Sequence, residues 1–134
     1  SDSYFYSGGA GYAMSRGLLQ KFYYEGLHHP NCHPTEHTSM EDVMIAECFR
    51  DVFGIGLIDT RDGQGRERFH PFSPADHYEW RPSNSNSEGD WYAEYNEEWG
   101  IKLKEQCCAP DSVSFHYIDQ PALMRHIHAL VQLC

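Results

Sequence analysis

Apolar residues recur at helical spacing in three stretches of the chain, separated by longer stretches with no period. Leu18, Leu19, Phe22 and Tyr23 share one face of a helix predicted over 15–25. Ser15 is placed to accept its first backbone N–H and Gly26 to end it. A second stripe, Val43, Ala46, Phe49, Val52 and Phe53, predicts a helix over 39–53. Thr38 and Ser39 are its candidate caps, and Glu41 and Asp42 stand in its first turn, where the helix dipole favours anions. Leu123, Ile127, Leu130 and Val131 give an apolar face to a third helix, which Pro121 opens. Strand signals are weaker. Residues 4–6 read as a strand end, and 55–58 as a short strand closed by Asp59. Residues 112–118 alternate, with Val113, Phe115 and Tyr117 on one face and Ser114 and His116 on the other.

Between these elements the chain turns and loops. Gly8, Gly9 and Gly11 form a turn that needs unusual backbone angles or a close approach by a ligand. Pro30, Asn31 and Pro34 mark 28–38 as a loop. The span 61–99 reads as one long ordered loop, rich in aromatics, with a flexible tip at the alternating tract Ser83-Asn84-Ser85-Asn86-Ser87. A loop this long in a compact domain is usually functional. The strand–helix alternation predicts an α/β fold, and the few strands visible cannot carry layers on both faces of a sheet. The missing strands are expected upstream. There are no internal repeats.

Length and charge narrow the function. The 134 residues allow one domain at most, and 40% apolar with 14% aromatic content supports a packed core. A net charge of −10 argues against phosphate backbones and anionic lipid, so no nucleic-acid partner is expected. No run approaches the roughly 20 apolar residues of a membrane span, and no basic-then-apolar leader is present. The chain opens on a dense motif, not on Met, and reads as a partial domain, residues 1–134 of something longer.

Four groups of residues could carry chemistry. Glu41-Asp42 at a helix start could supply a general base for a hydroxyl, or could be an ordinary acidic first turn. His116, on the polar side of an apolar strand, could ligate a metal or sit hydrogen-bonded at the core edge. Trp91, Tyr92, Tyr95 and Trp99 offer faces to the C–H surfaces of sugars, or anchor a long loop. Five cysteines leave at least one over; Cys107 and Cys108 could bond each other or separate partners. Cys32 among His28, His29, His33 and His37 matches no zinc spacing, so disulfides in an oxidising compartment are expected instead.

Read together, these segments resemble a known family. Ser7-Gly8-Gly9-Ala10-Gly11-Tyr12-Ala13-Met14-Ser15 is similar to the Gly-Gly-Ala-Gly motif of the fringe-like inverting beta-1,3-glycosyltransferases, and Met40-Glu41-Asp42-Val43 with Cys48 to their Glu-Asp-Val segment. Phe69-His70-Pro71-Phe72, Trp91-Tyr92 and Cys107-Cys108 leading into Val113-Ser114-Phe115-His116-Tyr117 resemble the core 1 galactosyltransferase branch. The resemblance covers about residues 4–120.

It implies a GT-A fold and a Golgi-lumenal, type II membrane-anchored enzyme. It implies UDP-galactose as donor, Mn²⁺ as cofactor and transfer to O3 of GalNAc on Ser/Thr-linked glycoproteins; a homodimer is a further candidate assembly that the sequence leaves open. By position it implies Asp42, with Glu41 beside it, as the base; His116 as metal ligand; and His116 and Tyr117 at the nucleotide. Trp91, Gly8 and Gly9 fall at the acceptor. It also implies a Cys32–Cys48 disulfide, after which Cys107 and Cys108 pair and Cys134 is left over.

Three departures stand out. No Asp-x-Asp, the family's other source of metal ligands, occurs in residues 1–134; Ala46 stands where relatives often carry Gly; and 82–90 diverges. With part of the machinery outside this sequence, a fragment of this kind is expected to be inactive alone. The competing reading is a non-catalytic lumenal relative, a chaperone-like or sugar-binding partner. The joint presence of Asp42, His116 and Trp91 favours the enzyme.

Overall fold

In the computed structural model, which describes residues 4–81 and 90–133, the chain divides into two units, Ser1–Asp59 and Thr60–Cys134. The Ser/Asn tract, most of the divergent 82–90 segment and Cys134 lie outside the described residues, as do the side chains of Leu130 and Val131.

The N-terminal unit is built on two helices. Helix α1 spans Arg16–Tyr24, and the Ser15 hydroxyl accepts the Leu18 N–H at 3.1 Å, as its capping position predicts. The helix stops short of Gly26, which is needed for space and not for a left-handed turn. A methyl there would stand 2.6 Å from the Phe22 ring.

Helix α2 spans Glu41–Phe53, two residues later than the caps suggest. Met40 is its N-cap residue, and Thr38 caps only the approach, accepting the Met40 N–H at 3.0 Å. Gly54 ends the helix in the left-handed region, with φ at 64°. Ala46 and Phe49 of the predicted stripe are buried, and so is Cys48 beside them. Cys32 is bonded to Cys48, and these two with Phe49 form a core that Met14, Leu18, Phe22, Ile45, Val52, Phe53 and Ile55 close. The Phe22 and Phe49 rings meet edge to face at 5.3 Å. Residues 4–6 and 55–58 form no strand. Ile55 packs on the core while Ile58 is 77% exposed, and no described strand lies beside the run to pair with it.

The C-terminal unit holds the strands. β1 (Phe69–His70) pairs in parallel with β2 (Ser114–Phe115), Phe69 against Ser114 and His70 against Phe115. The span 61–99, expected as loop, carries α3 (Pro74–Glu79) and α4 (Trp91–Tyr95). Ser73 accepts the Asp76 N–H at 3.2 Å, Pro74 opens α3, and Asp90 accepts the Ala93 N–H at 3.1 Å. α5 spans Pro121–Leu133, with Leu123 and Ile127 half-buried.

The alternation over 112–118 yields only two strand residues. Val113 and Tyr117 are 64% and 63% exposed, and Tyr117 turns left-handed with φ at 55°, which ends the strand. Among the described residues the strands are these two short ones, so the layered sheet expected from the alternation is not present in them. No helix among those residues is long and apolar enough to cross a membrane.

Candidate functional site

In the N-terminal unit the glycine turn meets the start of α2. Gly8–Ala10 forms a single 3-10 turn, and Gly11 follows with φ at 76°. The Gly8 N–H donates to Asp42 Oδ2 at 2.8 Å, and Asp42 Oδ1 accepts the Val43 N–H at 2.9 Å. The approach is close enough that a methyl on Gly8 would stand 2.8 Å from Glu41 Oε1 and 3.3 Å from the Asp42 Cβ. Asp42 is half-buried and Glu41 exposed. Tyr12 is a third member of this group. Burial raises its hydroxyl pKa, and the charges of Glu41 and Asp42 raise it further. Its place in the glycine motif, just past the turn, was the signal that could have marked it.

In the C-terminal unit the candidates gather past the ends of the two strands. Ligands of α/β sheets bind at the carboxyl ends of parallel strands. His116 directly follows β2, its N–H donating to the His70 carbonyl at 3.0 Å. Its ring stacks on Tyr117, with centroids 3.9 Å apart. Phe72 lies just past β1, and the Trp91 ring is 5.8 Å from it and 5.7 Å from Tyr92. Trp91 is 41% exposed while Tyr92 is buried. The aromatic segment therefore divides its labour: Tyr92 anchors, and Trp91 presents a face. Asn96 is buried, its side-chain N–H donating to the Tyr92 carbonyl at 2.8 Å. Cys107 and Cys108 are bonded to each other beside the bridge from Glu67 to Cys108.

Two buried histidines behind this edge were not anticipated as a pair. His70 stacks on Phe115 at 4.2 Å and meets His77 edge to face at 4.9 Å. The Ser112 hydroxyl donates to the Ala109 carbonyl at 2.6 Å, so its contact with His70 Nε2 at 2.9 Å is one in which the ring donates. That fixes the Nε2–H tautomer and leaves Nδ1 bare. His70 Nδ1 and His77 Nε2 have no partner among the described residues. Burial pushes His70 down to about 3, helped by His77, and pushes His77 down to about 4 against the pull of Asp76.

Both rings are therefore neutral in the folded protein near neutral pH. The unfolded chain protonates histidine near 6.5, so between there and the folded values it binds more protons than the native state. Stability is thus expected to fall as pH drops from about 6.5 toward 4, by up to about 1.4 kcal/mol per pH unit for each histidine. Asp62, lowered to about 2 chiefly by the Arg66 backbone N–H, contributes stability that is lost only below about pH 4. Urea unfolding between about pH 7.5 and 4.5 measures the histidine window. His77→Asn, which keeps a polar atom near the Tyr92 hydroxyl, flattens the slope; a flat profile in the unsubstituted protein contradicts the assignment.

Among the described residues no group of three or more His, Cys, Asp or Glu side chains could hold a metal ion. His116 alone offers one imidazole, so these residues do not by themselves fit a manganese site.

Mixed helix and strand, with candidate residues past parallel strand ends and at a helix start, is an arrangement consistent with a fragment of a glycosyltransferase. Over 112 residues, 84% of its length, the chain is 43% identical to glycoprotein-N-acetylgalactosamine 3-beta-galactosyltransferase 1 of Xenopus laevis. That identity places these residues in the galactosyltransferase family to which the motifs pointed; they span 29% of the relative's length. No family model matches the chain, and no solved structure does.

Proposed function

We propose that the chain forms the acceptor-side part of an inverting galactosyltransferase of the secretory pathway. In this reading the whole protein moves galactose from UDP-galactose to O3 of GalNAc on Ser/Thr-linked glycoproteins. The carrying observation is the hydrogen bond from Gly8 to Asp42, which joins the two motifs whose chemistry the reaction needs. Asp42 takes the proton from the acceptor O3–H as that oxygen attacks the anomeric carbon from the face opposite UDP. The carbon–oxygen bond to UDP breaks as the new glycosidic bond forms, and UDP leaves with the bonding pair. Positioned general-base help of this kind is worth about 10²–10⁴-fold.

Trp91 packs on the acceptor sugar with its exposed face, backed by Phe72 and Tyr92. His116 and Tyr117 border the nucleotide. His116 would hold Mn²⁺ together with an Asp-x-Asp outside residues 1–134, and the ion would neutralise charge on the departing diphosphate. The Golgi lumen and a membrane anchor outside these residues complete the proposal.

The test is transfer by the full-length lumenal protein, with UDP-galactose, Mn²⁺ and GalNAc-bearing peptides. Galactosylated product supports the reading; sugar binding without transfer leaves a non-catalytic relative in its place. His116→Ala in that protein is expected to weaken Mn²⁺ binding, read by electron paramagnetic resonance of the free ion, by about 10-fold or more. Unchanged Mn²⁺ affinity removes His116 from the metal.

A further inference from the structure

Both oxygens of Asp42 are held by backbone donors. The bond from Val43 is local, available to any aspartate in the first turn of a helix. The bond from Gly8 crosses 34 residues. It requires the turn to come close enough that the space beside the Gly8 α-carbon is filled by Glu41 Oε1 and the Asp42 Cβ. An ionised carboxylate has about four acceptor positions, so two backbone bonds leave room for an incoming hydroxyl while removing the carboxylate's freedom to rotate.

We propose that Gly8 is the positioning residue for Asp42: its backbone N–H anchors Oδ2, and its missing side chain lets the anchor approach. This rests on the reading of Asp42 as the general base, and it gives the first glycine of the motif a role other than contact with the acceptor. A carboxylate held in one orientation meets the acceptor hydroxyl without a further ordering step, the kind of alignment on which proximity effects depend. The Gly8 N–H donates to Asp42 and not to the exposed Glu41.

The full-length enzyme tests this with the amide nitrogen of Gly8 replaced by oxygen, an ester that removes the N–H and keeps the shape. With a GalNAc-peptide acceptor, kcat is expected to fall about 10-fold, the scale of one charge-assisted hydrogen bond. UDP-galactose affinity is expected to stay within about 2-fold, because the lost N–H bonds the carboxylate of Asp42 and not the donor. The same ester in an Asp42→Asn background is expected to change the residual kcat by less than about 2-fold, since the group it positions no longer acts as a base. Gly8→Ala supplies a second route. It keeps the N–H but sets a methyl against Glu41 Oε1 and the Asp42 side chain, and it too is expected to lower kcat only where Asp42 is present.

Unchanged kcat in the ester overturns the proposal. Equal losses in both backgrounds overturn it as well, because they mean that Gly8 serves the fold and not Asp42. If Asp42→Asn alone keeps full kcat, the base assignment itself has failed, and the proposal falls with it for that separate reason.

Discussion

In the full-length enzyme Asp42→Asn is expected to lower kcat by at least about 10²-fold while donor and acceptor still bind. Asparagine keeps the volume and one acceptor oxygen, so either Gly8 or Val43 can still donate to it. What it loses is the ability to take a proton. Glu41 does not replace it. Successive helix residues point about 100° apart, and Glu41 is exposed at the position where Asp42 is half-buried and doubly held. Glu41→Gln is therefore expected to cost much less, acting through the crowding around Gly8. Steady-state kinetics of the two variants, with UDP-galactose and acceptor affinities measured separately, decide the matter. A dead Glu41→Gln beside an active Asp42→Asn moves the base to Glu41.

Opening the Cys32–Cys48 bond destabilises the protein by about 3 kcal/mol in the chain-entropy account of a loop this long. The bond spans 16 residues and ties the 3-10 turn Pro30–Cys32 to the middle of α2. Both cysteines are buried against Phe49, so the pair is part of the core and not a surface clip. Cys32→Ala with Cys48→Ala, followed by urea unfolding, is expected to lower the midpoint with little change in slope. Peptide mapping without reductant identifies the pairing directly, and Cys32 recovered as a free thiol contradicts it.

The helices and motifs were legible because their signals are local. The α2 stripe, the Ser15 cap and Pro121 each depend on neighbours within a turn or two, whereas of the α1 stripe Leu18 and Phe22 are half-buried and Leu19 and Tyr23 are exposed. Thr38 and Ser39 have the residue types of caps and so predict a start for α2 two residues ahead of Glu41, while the Thr38 hydroxyl bonds the Met40 N–H ahead of the helix. α3 is only six residues long, too short for a period, and Ser73-Pro74-Ala75-Asp76 was its sole local mark. The buried state of His70 was out of reach for a different reason. Its Nε2 bonds Ser112, 42 residues away, its Nδ1 has no partner among the described residues, and the ring is covered by Phe115 and His77. The sequence pattern at 112–118 promised a longer strand, but it carries no sign that Tyr117 would turn left-handed.

Of the candidate site, the residue types were readable and their neighbours were not. Nothing in the spacing of Gly8 and Asp42 says that one donates to the other. Nothing in Trp91-Tyr92 says which ring is buried.

The parallel pairing of β1 with β2 also sets an order of events during folding. α1, α2 and the turn between them are built mainly from contacts close in sequence, which close quickly. The pairing of Phe69 with Ser114 must wait until the intervening chain has been made and its ends have met by diffusion. On the ribosome, the segment that will hold Phe69 and His70 therefore emerges well before its partner, with its ladder groups open to water or to a chaperone. The edge that carries His116 is completed late, after the helix that carries Asp42 has had time to form.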